Sequence, residues 1–226
     1  MKSPILLSIQ VGLPKKCGVA GAADPTDRPW TSGIFKEPVP GPVWLGQHNL
    51  AGDGQADLEN HGGSHKAVLG YSADHYPSWL QELAPLTLPY GAFGENFTIA
   101  GQTEATVCLG DTYAVAEAEI QVSQPRLPCW KLARKWRIKD LAALVLASNR
   151  GGWYYRVLHK GHVAPGLALN LLDRPFPQWS IARVLEIYSQ GTNREAAAEL
   201  AHCPLLTPGW RQNFQKIATG QGKRQP

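Results

Sequence analysis

The stretch QPRLPCWKL, residues 124–132, places Cys129 where its neighbours bear on its chemistry. From Arg126 to Lys139 the chain carries six basic residues, Arg126, Lys131, Arg134, Lys135, Arg137 and Lys139, and no acid. Positive charge stabilises a thiolate and lowers the pKa of the thiol. Pro125 and Pro128 stiffen the backbone and do not suit a strand interior, so Cys129 is expected on a rigid loop just beyond a strand end. A free cysteine taken alone is most often a small buried hydrophobe. The cations shift the reading towards a thiolate, a soft ligand for a transition metal, beside groups suited to a phosphate or another anion.

Two upstream stretches have the makings of a ligand cradle. In HGGSHK, residues 61–66, Gly62 and Gly63 allow close backbone approach and an anion-binding nest, and Lys66 adds a point charge. A tight turn with a solvated lysine explains the same residues equally well. His61 and His65 have a zinc-like spacing only on a helix, and the two glycines between them argue against one. In FGENF, residues 93–97, Glu95 and Asn96 follow Gly94 and are either a self-satisfied turn or polar groups at the mouth of a strand. Cys17, Cys108 and Cys203 lack a comparable cationic setting and read as buried or incidental thiols. No Walker A, G-x-G-x-x-G, G-x-S-x-G or H-E-x-x-H pattern occurs.

The elements that must position these residues are mainly β. The 226 residues include 23 glycines and 18 prolines, which favour short strands and turns over a helical bundle. Residues 3–11 read as an opening strand, and 14–42 as loops and short strands. Further strands are expected at 66–71, after FGENF, across 109–124 with a turn near 117–118, and within WYYRVLHKG and GLALNLLDRP. Helices are expected at 74–83, from Cys129 onward, and at 138–149. After about residue 174 the composition turns helical. SIARVLEIYSQ, NREAAAELAHC and TPGWRQNFQKIAT read as three short helices that pack together and lean on the β domain. Ser180 and Thr207 are the N-cap candidates and Gly191 a C-terminal break. GQGKRQP reads as a frayed tail. The division is therefore 1–174 for a β domain and 175–226 for three helices and the tail.

A net charge of +4 is modest for a dedicated nucleic-acid binder, and the basic run is better read as a solvated helix face. The N-terminus reads as a strand, and no apolar stretch is long enough to span a membrane. Irregular cysteine spacing without a C-x-x-C pair suggests a reduced, cytoplasmic protein with free thiols. A homodimer is compatible with the sequence.

HGGSHKAVLGYS, GAFGENFTI and LGDTYAVAEAEIQVSQPRLPCWKL, in that order and at these intervals, resemble the MOSC-domain family, named for the C-terminal domain of molybdenum cofactor sulfurases. The closer resemblance is to its stand-alone bacterial branch, the YiiM-like or hydroxylaminopurine-resistance proteins. It covers roughly residues 35–172 and extends to the three C-terminal helices. It implies a MOSC-type β-barrel followed by a small three-helix C-terminal domain. It also implies the molybdenum cofactor, a pterin dithiolene with a terminal phosphate, with Cys129 as the protein ligand to molybdenum. The implied activity is reductive removal of oxygen from N-hydroxylated bases and related small molecules, a detoxification. The family's loop residues fall on His61, Gly62 and Gly63, its GEN element on Gly94, Glu95 and Asn96, and the flanks of its cysteine on Ser123 and Arg126. Arg126, with Lys66 and Lys131, is expected to meet the phosphate or pterin; Asn96 and Glu95 are expected to face the substrate, Glu95 as a proton source. Segment 14–42 falls outside the motifs that carry the resemblance. The four-cysteine ferredoxin pattern of some larger relatives is missing, so a separate reductase is expected to supply electrons. The other reading is a carrier that moves the cofactor or its sulfur without turnover.

Overall fold

The structure is a computed structural model and describes residues 3–221. Five strands come first: β1 (Ile5–Val11), β2 (Lys15–Cys17), β3 (Trp30–Ser32), β4 (Glu37–Pro38) and β5 (Val43–Leu45). A one-turn helix α1 (Leu58–His61) leads to β6 (Val68–Ser72), α2 (Tyr76–Glu82) and β7 (Phe97–Ala100). Next are β8 (Thr112–Val115), β9 (Ala118–Pro125), α3 (Trp130–Trp136), α4 (Leu141–Ala147), β10 (Trp153–His159), β11 (Gly161–Val163) and β12 (Asn170–Asp173). Three helices follow: α5 (Ile181–Gln190), α6 (Arg194–His202) and α7 (Pro208–Ala218). Of the expected tail, GKRQP lies outside the described residues.

The main sheet runs β12-β8-β9-β10-β6-β7-β1-β4. Its one parallel pair, β6 with β7, is joined by a crossover through α2, the connection that parallel strands require. The chain just before β12 returns to β1: Leu6 N donates to Leu167 O at 2.9 Å and Leu169 N to Pro4 O at 2.9 Å. These bonds bring the ends of the sheet together and curl it into a barrel. β9 sets the interior: Ala118, Ile120 and Val122 are buried while Glu119 and Gln121 are not, the period-2 pattern of a half-buried strand. The turn before it falls at Ala116 and Glu117, one residue earlier than the expected 117–118.

The apolar core does not stop at residue 174. One cluster runs from Leu6, Phe97, Tyr113 and Trp153 in the barrel through Trp179 and Ile181 to Trp210 and Phe214 in the helices. Ser180 caps α5, accepting from Arg183 N at 3.2 Å, and Gly191 ends it at φ 62°. Thr207 precedes α7 without capping it; its hydroxyl donates instead to Gln124 Oε1 of β9 at 2.9 Å, tying the helical unit to the barrel. A second cluster, with Tyr71, Trp79, Phe93, Leu132 and Leu141, lies beneath α2, α3 and α4. Among the described residues no helix is long and apolar enough to cross a membrane, and all four cysteines are free.

Candidate functional site

The C-terminal end of β9, the start of β10 and the start of β6 meet at one end of the barrel, in register at Pro125–Trp153 and Tyr154–Leu69. A cleft opens there, lined by residues of the 32–36 and 54–57 segments, by His61 and Lys66, by Leu69, Phe93, Gly94 and Asn96, and by Arg126, Leu127, Cys129, Lys131 and Tyr154.

Cys129 occupies the N-cap position of α3 in an extended conformation, and its side chain makes no cap bond. The helix is fixed from behind. Leu132 is buried in the second core, Trp136 Nε1 donates to Ala92 O at 2.8 Å, and Lys135 Nζ donates to Gly91 O at 2.9 Å and Ala92 O at 3.0 Å. Burial pushes the Lys135 ammonium down to about 8 against the pull of Glu95 and Glu37. These bonds hold the C-terminal turn of α3 against the loop that carries Gly94.

Burial by itself would raise the Cys129 pKa. The hydrogen bond from His61, the charge of Arg126, the backbone N–H of Lys131 and the charge of His61 outweigh it and bring the thiol down to about 7. His61 is set there by a short device: Asp57 accepts from Asn60 N at 2.9 Å and caps the single turn α1, which ends on His61. Arg126 is only 5% exposed and donates through Nη2 to Phe93 O at 3.0 Å. No ion pair joins Arg126 to a carboxylate among the described residues, so its charge is directed at the cleft. Burial lowers the pKa of Lys66, with Asp57 opposing, and its ammonium donates to Asn60 O. Burial also lowers that of Lys36, whose ammonium pairs with Asp53.

Of the residues singled out in the sequence, His61, Lys66, Gly94, Asn96, Arg126, Cys129 and Lys131 line the cleft; Gly62, Gly63, Glu95 and Ser123 do not. Gly62 and Gly63 shape the turn behind it, Gly63 at φ 91°, where a side chain would be strained. Ser123 is fully buried, its Oγ 2.6 Å from His65 O and 3.1 Å from Tyr154 O, so it pins the His65 turn to the sheet. Glu95 is fully buried and accepts from Gly91 N at 2.7 Å, Phe93 N at 3.1 Å, Thr98 Oγ1 at 3.1 Å and the Tyr76 hydroxyl. With four donors and no solvent contact, its carboxyl organises the 91–95 loop and does not meet a substrate. Asn96 faces the cleft, but both its amide hydrogens are spent, on Gln10 O at 3.1 Å and Asp53 Oδ2 at 3.0 Å. It acts as a strut between β1, the Asp53 loop and β6.

Sequence reasoning missed the 32–36 and 54–57 walls, Lys36 and Tyr154. Tyr154 sits at the head of a strand visible in the sequence; the walls come from a segment with no motif. The basic run does not form one surface. Arg126 is buried and Lys135 half-buried, Arg134 reaches Pro25 O, and Arg137 pairs with Asp27 at 2.9 Å. Those ties hold the 25–27 turn against α3.

Two consequences can be measured here. A depressed thiol pKa means that the thiolate fraction grows as pH rises through about 7. Alkylation of Cys129 is expected to rise with a midpoint near that pH, and His61→Ala is expected to move the midpoint upward; an unchanged midpoint would show that His61 does not hold the thiolate. Gly94 has φ 83°, and an added Cβ would lie 2.8 Å from Ile34 Cγ1. Gly94→Ala is expected to cost about 1–3 kcal/mol in denaturant unfolding, the scale of a non-glycine residue forced into such a conformation.

A curled barrel with a cationic, thiol-bearing cleft at its mouth, carrying three C-terminal helices, defines a MOSC-type two-part protein. The MOSC domain family matches residues 57–170, and the YiiM-like, 3-alpha helix domain matches residues 179–216. The chain belongs to the MOSC-domain family, in its YiiM-like branch. It is 42% identical over 212 residues to "Uncharacterized protein YflK" of Bacillus subtilis, covering 93% of each. It is 33% identical over 208 residues to a protein named "Reductase" from Gibberella moniliformis, covering 90% of this chain and 36% of that one. The crystal structure of YiiM from Geobacillus stearothermophilus superposes with a TM-score of 0.78 at 36% identity, covering 95% of this chain and 99% of that one.

Proposed function

We propose that the protein is a molybdenum-cofactor-dependent reductase that removes oxygen from N-hydroxylated bases and related N-oxygenated compounds. The observation that carries this reading is the Cys129 thiol, brought down to about 7 at the edge of a cleft lined by Arg126, Lys36, Lys66 and Lys131. Among the described residues no group of three or more His, Cys, Asp or Glu could hold a metal ion. Cys129 would then be the protein's ligand, with the remaining donors coming from an organic cofactor. One soft sulfur among cations fits a dithiolene bearing a phosphate. The name of the Gibberella relative points to reduction as well.

When bound, the cofactor supplies the two-electron reduction of an N–OH group to N–H with release of water. The balance requires two electrons from a separate donor and two protons. The chain's own part is narrower. Cys129 Sγ binds the metal. Arg126 and Lys66 bind the phosphate. Asn96 and the Glu95-organised loop keep the wall opposite Cys129 in place. His61, bonded to Cys129, lines the cleft beside it.

The test is metal and pterin analysis of protein made in cofactor-competent cells, followed by turnover of hydroxylaminopurine with a chemical reductant. Bound molybdenum together with aminopurine formation is expected. Bound cofactor without product would instead favour a carrier, and absence of both would overturn the reading.

A further inference from the structure

A second cavity, of about 980 Å³, is large enough for a small molecule. Cys17, Val19, Trp30, Trp130 and Arg134 line it, and the 24–27 turn forms one wall. This groove adjoins the cleft on two sides. Trp130 follows Cys129 directly, and Cys129 lines the cleft. Trp30 and Ser32 alternate onto one face of β3, about 7 Å apart, with Trp30 in the groove and Ser32 in the cleft.

Its aromatic surface is fixed in place. The ring centroids of Trp30 and Trp130 lie 5.9 Å apart, with the planes at 53°. Arg134, one helical turn on from Trp130, sets its guanidinium 5.0 Å from the Trp130 centroid and 5.7 Å from that of Trp30. Phe35 packs against Trp30 at 5.7 Å. Pro25 O accepts from Arg134, and the Arg137–Asp27 pair holds the facing turn. Trp130 is nevertheless 53% exposed, and Val19 in the same groove is 65% exposed. Two large apolar side chains therefore open onto one cavity, and the indole among them is already held in a single orientation.

Charge narrows the choice of occupant. Arg134, Arg137 and Lys139 line the groove together with Asp24 and Asp27, three cations against two carboxylates. Asp24 is turned back on Thr26, accepting from its N and its Oγ1 at 2.8 Å each, and Asp27 is paired with Arg137. This near balance suits a neutral ring better than a polyanion or an acidic protein. Aromatic and guanidinium faces stack on planar heterocycles, which contributes about 5- to 150-fold in affinity per base.

We propose that the Trp30–Trp130 groove holds the heteroaromatic base of the molecule that reacts at Cys129, stacked on Trp130 with its N–OH group directed into the cleft. The reaction at Cys129 rests on the reductase reading; the stacking site does not. The groove gives the protein a preference for heteroaromatic N-hydroxylated compounds over aliphatic ones.

The first arm of the test needs no activity. Calorimetric titration with adenine is expected to show saturable binding, weakened at least about fivefold in Trp130→Leu and in Trp30→Leu. Trp44→Leu, which removes an exposed indole from β5, should bind as wild type does. Trp130 is exposed on the first turn of α3, so its variant folds even if Trp30→Leu does not. Cys17 lies opposite Trp30 in the β2–β3 pair and lines the same groove. Adenine at ten times its Kd should slow Cys17 alkylation, read by mass spectrometry, at least about threefold. Equal affinity in all four proteins, no saturable binding, or protection of Cys129 without Cys17 would overturn the site.

The second arm reads selectivity, with a chemical reductant supplying electrons. The ratio of kcat/KM for hydroxylaminopurine to that for N-hydroxyurea, which carries its N–OH on no ring, should fall at least about fivefold in Trp130→Leu. An unchanged ratio would overturn the substrate assignment. If wild type reduces neither compound, the reductase reading fails, and the adenine titration still decides the base site.

Discussion

Cys129→Ala is expected to fold normally, to lose bound molybdenum, and to lose turnover by at least about 100-fold, beyond the 10- to 100-fold typical of disturbing a metal's outer shell. The fold should survive because Cys129 makes no cap hydrogen bond and is only partly buried, while α3 is held by Leu132, Lys135 and Trp136. Substitutions away from core and network features usually change stability by about 0.5 kcal/mol or less. Metal content and far-UV circular dichroism of the two proteins provide the check. Equal molybdenum in wild type and variant would remove Cys129 from the site. Cys129→Ser sharpens the result: an alkoxide is far less available than a thiolate at neutral pH, so serine should rescue packing and not metal binding.

Glu95→Ala has the largest expected effect on stability, a loss of about 3–5 kcal/mol in denaturant unfolding, the scale for breaking a buried polar network from one side. The substitution orphans Gly91 N, Phe93 N, Thr98 Oγ1 and the Tyr76 hydroxyl in a place water does not reach. It also loosens the loop to which Lys135 and Trp136 anchor α3, so Cys129 should lose its position as well. Glu95→Gln keeps one acceptor oxygen and should cost less. A catalytic proton donor would behave in the opposite way: Glu95→Gln would lose turnover with stability unchanged. Comparing unfolding midpoints with turnover in the two variants separates these roles.

The β-rich barrel, the three C-terminal helices and most other helix positions could be read from the sequence, because period-2 burial and helix-ending residues are local signals. The cationic setting of Cys129 was also local, since the charge density around it is written in the chain itself. The roles of Glu95 and Ser123 were not. FGENF and VSQ look the same whether their polar side chains face a ligand or a neighbouring carbonyl, and only the approach of Tyr76, Thr98 and the His65 turn decides which. Thr207 makes the same point: its N-cap position is visible in sequence, but Gln124, 83 residues away, claims its hydroxyl.

The sequence by itself therefore determined which residues were able to do chemistry: a thiol among cations, glycine-marked turns, and a strand that ends in proline. Only the tertiary structure decided which of them share a cleft. It brought His61 to Cys129, turned Glu95 inward, added the wall at residues 32–36, and tied Thr207 of the helical unit to Gln124 of the barrel. The physical reason is that a thiol's pKa and an arginine's free charge depend on burial and on partners distant in the chain. Such partners are chosen by how the barrel closes and where the helices pack against it.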